Sequence, residues 1–286
     1  MGRLLVVAVA GALLAGVAGA CGGSPAKFQP PFDCWAARTN AWREASEAGD
    51  EGGPLADAEE AMARLGAGRL TLQLSTSAGE GEKAGPVGFR MEGPFAIGDG
   101  AMPVLDLRYT RLLGDRTSET RVVSTGEVAF VVADGKTIEV PPEEAARLRL
   151  GDGDGGIADL GIAGWARAPE VEERDGGVRV VRGTVDVADL LSDLARIGEQ
   201  AGGGGRGEPL DDEAAERLQR LVESSELVAE LGTDDLPRSL RVVVDFAGRV
   251  PDDLREALGA YASPRLELTL SLERLDGPLE VEAPER

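Results

Sequence analysis

The feature that most constrains this chain is an alternation of apolar and polar side chains with a period of two. Residues 265–273, R-L-E-L-T-L-S-L-E, alternate without a fault, placing Leu266, Leu268, Leu270 and Leu272 on one side and charged or hydroxyl residues on the other. Residues 69–75 set Leu70, Leu72 and Leu74 against Thr71, Gln73 and Ser75; after a polar Gly-Glu loop, Val87, Phe89 and Met91 alternate with Gly88, Arg90 and Glu92. Pro94 and Gly98-Asp99-Gly100 break the run. Residues 104–110 resume it with Leu105, Leu107 and Tyr109 on one side, and residues 120–133 carry it to a tight turn at Asp134-Gly135 and a short return strand, 136–140. Further strands are predicted at 178–187, 226–231 and 238–246. Strands joined by short turns make an antiparallel meander. With one face apolar and the other polar, something must cover the apolar one.

Helical spacing appears between these runs. Pro54 near a helix start, early acids and a Gly66 stop frame Leu55, Ala58, Met62 and Leu65, a helix expected to lie across a sheet. P-P-E-E-A-A-R-L at 141–148 starts another, ended by the Gly-Asp run 151–156. The strand at 178–187 leads into an amphipathic helix with Leu190, Leu191, Leu194 and Ile197 on its buried face. After a glycine-rich loop, 202–207, Asp211 and Asp212 open a second helix with Leu218, Leu221 and Val222 inward. These last two helices are the expected lids. A short helix is expected at 251–260, and Trp35 and Trp42, seven apart, share a helix face as a packing stripe.

Composition narrows the chemistry. There is no histidine among the 286 residues, which removes Ser-His-Asp and Cys-His catalysis and His-ligated zinc. The formal charge of −21 opposes phosphate backbones, so no nucleic-acid partner is expected. The Gly-Asp run fits neither a dinucleotide loop, because Asp152 and Asp154 would repel a pyrophosphate, nor a calcium loop, because Gly156 stands where an acid is needed. No cofactor or metal is expected. Carboxylate pairs such as Glu143-Glu144 and Asp234-Asp235 solvate a surface more readily than they share a proton, and the chain is expected not to be an enzyme.

Residues 1–20 form an export signal: Arg3, an apolar stretch and Ala18-Gly19-Ala20. The thiol of Cys21 follows at once, as in bacterial lipoprotein precursors, whose lipobox this resembles with Ala18 in place of the usual Leu. Acyl chains of the palmitate type on Cys21 would anchor the body to a membrane. The alternative is an ordinary secretory site that leaves Cys21 free to pair with Cys34. Residues 21–53 are then a tether with an N-terminal helix, and residues 54–286 the folded domain.

The run G-P-F through S-T-G-E-V-A-F-V-V-A-D-G-K-T-I-E-V-P-P-E-E-A-A-R-L, the single Trp165 before A-R-A-P-E-V, and V-R-V-V-R-G-T-V-D-V-A-D-L-L-S-D-L resemble bacterial envelope lipoproteins of the LolA-like, LppX/LprG type. The resemblance implies an α+β fold: a curved antiparallel β-sheet, or half-barrel, with helices covering its concave face and acyl chains held between them. An aromatic content of 4% leaves that side to small aliphatic residues, which suits a dry hollow. The residues expected to line it are Leu72, Phe89, Leu107, Val128, Phe130, Val180, Val242, Val244 and Leu268, with the parity of each strand left open, since a one-residue slip swaps its faces. The implied partners are the membrane, through Cys21, and a lipid or acylated small molecule. The alternative is a non-enzymatic interaction or sensor module with an envelope protein as partner and no ligand cavity.

Overall fold

The computed structural model describes residues 53–77, 85–97, 102–141, 160–200, 212–247 and 264–285. In chain order these form α1 (Pro54–Ala63), β1 (Ala67–Ser77), β2 (Val87–Ala96), β3 (Val104–Leu113), β4 (Arg116–Thr125), β5 (Ala129–Ala133), β6 (Lys136–Val140), β7 (Ala166–Arg174), β8 (Val178–Val185), α2 (Val187–Gln200), α3 (Asp212–Arg220), β9 (Val222–Leu231), β10 (Pro237–Phe246) and β11 (Arg265–Arg274). The predicted leader, Cys21, Cys34, the Trp pair, the helices at 141–148 and 251–260, the Gly-Asp run and the glycine-rich loop lie outside the described residues.

All eleven strands belong to one antiparallel sheet, in the order β6-β5-β4-β3-β2-β1-β11-β10-β9-β8-β7. Two meanders, β1 to β6 and β7 to β11, meet along β1 and β11, which pair without a shift from Gly68↔Arg274 to Ser77↔Arg265. Among the described residues the sheet does not close, and β6 and β7 are its edges. The Asp134-Gly135 turn forms as predicted, with φ of 50° and 72° at its two residues. That left-handed pair is the geometry whose twist matches the flanking strands, and an Asp-Gly dipeptide adopts it readily.

Registry sorts the side chains into two faces. Leu72 stands opposite Leu270 and Met91, and Leu268 opposite Leu74 and Val242, so one face is a continuous aliphatic surface, here called the inner face. The outer face carries cross-strand ion pairs: Arg121 with Asp106 (2.6 Å), Arg241 with Glu267 (2.9 Å) and Arg265 with Asp245 (2.9 Å). Such half-exposed pairs contribute a few tenths of a kcal/mol each, about what cross-strand neighbours usually give. Their larger effect is on register, since a one-residue slip would bring Arg and Glu to the aliphatic side.

The helices share the inner-face core. Leu55, Ala58 and Met62 of α1, Leu190 and Leu194 of α2, and Leu218 of α3 lie in one buried cluster with the inner-face leucines and valines. A smaller cluster, Met102, Ala129, Val131 and Val140, sits at the β5–β6 end. Beyond β11 the chain runs to the far edge of the sheet, where Thr137 Oγ1 of β6 donates a hydrogen bond to the Glu285 carbonyl (3.0 Å).

Three details differ from the sequence reading. The run 120–133 is two strands, separated at a turn where the Thr125 amide donates to the Val128 carbonyl (3.0 Å). The second helix ends at Arg220, so Leu221 falls in the turn and Val222 begins β9 instead of extending the helical stripe. β7 was not predicted at all: its residues are almost all exposed, and Pro169 follows Ala168, whose φ is 48°, at a register shift. A proline and an irregularity on an edge strand discourage pairing with another chain.

Candidate functional site

The inner face is the surface to which the sequence assigned function. Leu72, Phe89, Leu107, Val242, Val244 and Leu268 all fall on it, in the single large buried cluster. β1, β2, β3, β10 and β11 supply them, each at an alternate position of a regular strand. Phe89 stacks on Tyr109 of β3 with ring centroids 5.8 Å apart and planes 20° apart. That pair is the described aromatic contact on a surface that is mostly aliphatic, with Phe95 of β2 also in the same buried cluster.

The remaining three assigned residues sit elsewhere. Val128 lies in the β4–β5 turn, partly buried. Phe130 pairs with Val123 and Glu139, and Val180 with Glu172 and Glu230, so both stand on the outer face although buried. Their neighbours Val131 and Val181 take the inner positions. The cause is legible: A-F-V-V-A and V-R-V-V-R offer apolar residues at both parities, so the sequence does not specify which one turns inward.

Where α1 and α2 approach each other, a polar anchor holds the short segment before β7. Trp165 is fully buried and its indole Nε1–H donates to Asp193 Oδ2 of α2 (2.9 Å), which also accepts the Gly161 amide (2.9 Å). Glu59 of α1 accepts the Ala163 amide (2.7 Å), and burial raises its pKa above the usual carboxylate value. Asp186 caps α2, accepting the amides of Ala188 and Asp189 at Oδ1 (3.1 and 3.3 Å) and pairing with Arg167. Asp189, pressed by burial and then by Asp186 and Asp193, has its pKa raised to about 6. Arg179 of β8, largely buried, bridges Asp57 of α1 (3.0 Å) and Asp235 of the β9–β10 turn (2.5 Å). Asp234 pairs with Arg238 (3.1 Å), so the Asp234-Asp235 pair serves ion pairing. Among the described residues no three acids converge as a metal site, and no helix is long and apolar enough to cross a membrane.

On the sequence alone Trp165 carries no role, and Asp193, Glu59 and Arg179 give no sign of theirs. Their signal is weak by nature, because each partner lies on a different element, from 28 to 122 residues away.

No model of a known protein family matches the chain, and no curated protein matches it. Among solved structures it is similar to LprF from Mycobacterium bovis, at 13% identity over 81% of this chain and 95% of that one, with a TM-score of 0.37. It is also similar to the Mycobacterium tuberculosis lipoprotein LppX (9% identity, 80% and 96% covered, TM-score 0.35) and to a LolA superfamily protein from Nitrosomonas europaea (10% identity, 79% and 93% covered, TM-score 0.23). The last of these is a LolA superfamily protein, the group that the sequence resembles. At such identities and scores the likeness carries no argument about fold or ligand.

Proposed function

We propose that this chain is a non-enzymatic envelope lipoprotein, anchored through Cys21, that holds or shuttles a lipid or acylated molecule against the inner face of its sheet. The observation that carries the reading is a mismatch of areas. Strands lie about 4.8 Å apart and rise about 3.3 Å per residue, so strands of the observed lengths present roughly 1,500 Å² per face. The helices among the described residues, of 10, 14 and 9 residues at about 1.5 Å per residue and about 10 Å across, cover roughly 500 Å² of it. Curvature of the sheet, with the helices closing its concave side, would leave an apolar hollow. An acyl chain filling it gains about 0.8 kcal/mol per buried methylene and needs no dedicated polar residue.

A second reading, an interaction or sensor module with a filled interior, is favoured by one observation: Val242, Val244 and Leu268 are already fully buried within the chain. Native mass spectrometry of the full chain, released from detergent micelles and followed by organic extraction, separates the two. A stoichiometric lipid, lost in Leu107→Gln while the far-ultraviolet circular dichroism is retained, is the expected result. A clean lipid-free mass with no uptake from added phospholipid or glycolipid would overturn the carrier reading and leave the module.

A further inference from the structure

The outer face of the β1–β6 meander is largely polar. Its outward positions on β2, β3 and β4 include Arg90, Glu92, Asp106, Arg108, Glu119 and Arg121, all joined in ion pairs. A line of apolar residues nevertheless crosses it diagonally. Ala67 of β1 stands opposite Ala96 of β2, which stands opposite Val104 of β3. One row on, Val123 of β4 faces Phe130 of β5, and one row further Val132 of β5 faces Thr137 of β6. Val123 and Phe130 are buried, although both point away from the inner face and neither belongs to its cluster.

The segment that follows β11 is tied down at both ends of this line. The Leu275 amide donates to the Ala67 carbonyl (3.3 Å), and Thr137 Oγ1, which registry puts on the outer face, donates to the Glu285 carbonyl (3.0 Å). Six strand steps separate β11 from β6, roughly 29 Å at about 4.8 Å each. Residues 276–285 reach about 33 Å at about 3.3 Å each, so they span that width only when nearly extended. Gly277, with φ of 108°, and Pro278 take the chain out of the ladder at the start. Beyond them exposure alternates as it does on an extended chain lying on a surface: Leu279 and Val281 are half-buried, Glu280 and Glu282 exposed.

We propose that residues 276–285 are a strap, seated along the apolar diagonal, that fastens β4, β5 and β6 to the seam of the sheet. The inference is independent of the lipid-binding reading. Leu279 and Val281 turn toward the diagonal and Glu280 and Glu282 toward water, so the strap adds apolar cover to Val123 and Phe130 and leaves its own charge solvated. β5 and β6 have five residues each and form the edge of the sheet, where strands open most readily. The bond from Thr137 fixes the strap at that edge. Lifting the strap uncovers the diagonal and loosens β6, so its docking decides whether this edge is held or open to another strand.

The test is hydrogen exchange read by mass spectrometry, comparing the full chain in detergent micelles with a variant lacking residues 276–286. Deletion is expected to speed amide exchange in β4, β5 and β6 by about tenfold while β9 and β10 keep their protection. Leu279→Asp/Val281→Asp, which preserves the length of the chain, should loosen the same three strands. Thr137→Val, which removes one hydrogen bond at the end of the strap, should speed exchange in β6 by about threefold. Should the deletion unfold the whole chain, the double substitution decides: faster exchange confined to β4, β5 and β6 upholds the strap. Unchanged exchange there in the double substitution, or an increase spread evenly over both meanders, would overturn the proposal.

Discussion

Replacing Trp165 with Phe isolates the anchor that ties α2 to the start of β7. Trp165 is fully buried, and its Nε1–H is 2.9 Å from Asp193 Oδ2. The substitution leaves a void where the distal benzo ring was, at a cost of about 1–2 kcal/mol, and removes a hydrogen bond to a charged group worth about 1.5–3 kcal/mol. The expected loss is about 3–4 kcal/mol, a large fraction of the stability of an ordinary domain. Urea unfolding followed by circular dichroism measures it, with the slope unchanged. A double-mutant cycle with Asp193→Asn should return a coupling of about 1–2 kcal/mol, since the two groups touch. A loss under about 1 kcal/mol, or strictly additive substitutions, would refute the view that this pair is an anchor and reduce it to coincident packing.

Three further outcomes are expected. Asp189 has its folded-state pKa raised to about 6, so the folded form binds its proton more tightly, and the resulting destabilisation grows as pH rises from about 4 to about 6 and is constant above that. Asp189→Asn should therefore stabilise the chain at pH 7.5 by about 1 kcal/mol, after allowing for partial solvent screening, with the gain vanishing near pH 4 in urea titrations at several pH values. A Cβ on Gly93 would sit 2.0 Å from the Asp106 carbonyl oxygen, so Gly93→Ala should cost about 3 kcal/mol or more in thermal unfolding; Gly66→Ala, with nothing within 4 Å, should change stability by less than about 0.5 kcal/mol. Arg179→Gln removes the bridge from β8 to α1 and the β9–β10 turn, and should cost about 1–2 kcal/mol with increased amide exchange in α1.

What the sequence disclosed follows from where the pattern is strict. β1, β3 and β11 alternate cleanly, and their inner residues Leu72, Leu107 and Leu268 lie where the alternation put them. Phe130 and Val180 went astray because their strands carry apolar residues at both parities. Val123, Phe130, Val180 and Val243 are buried on the outer face, so burial alone did not identify the inner one. β7 escaped notice because an exposed edge strand has no buried face to leave a period.

The seam between β1 and β11 has a consequence for how the molecule is made. Each meander is built from neighbours in sequence, but the central pairing joins residues some two hundred positions apart, such as Gly68 with Arg274. Loops of that size close slowly, because chain entropy must be spent before any contact rewards it. β11, made after the other ten described strands, is thus the one that zips the two halves into a single sheet. Until it arrives, β1 keeps an open hydrogen-bonding edge, which exposes the unfinished chain to aggregation if synthesis stalls.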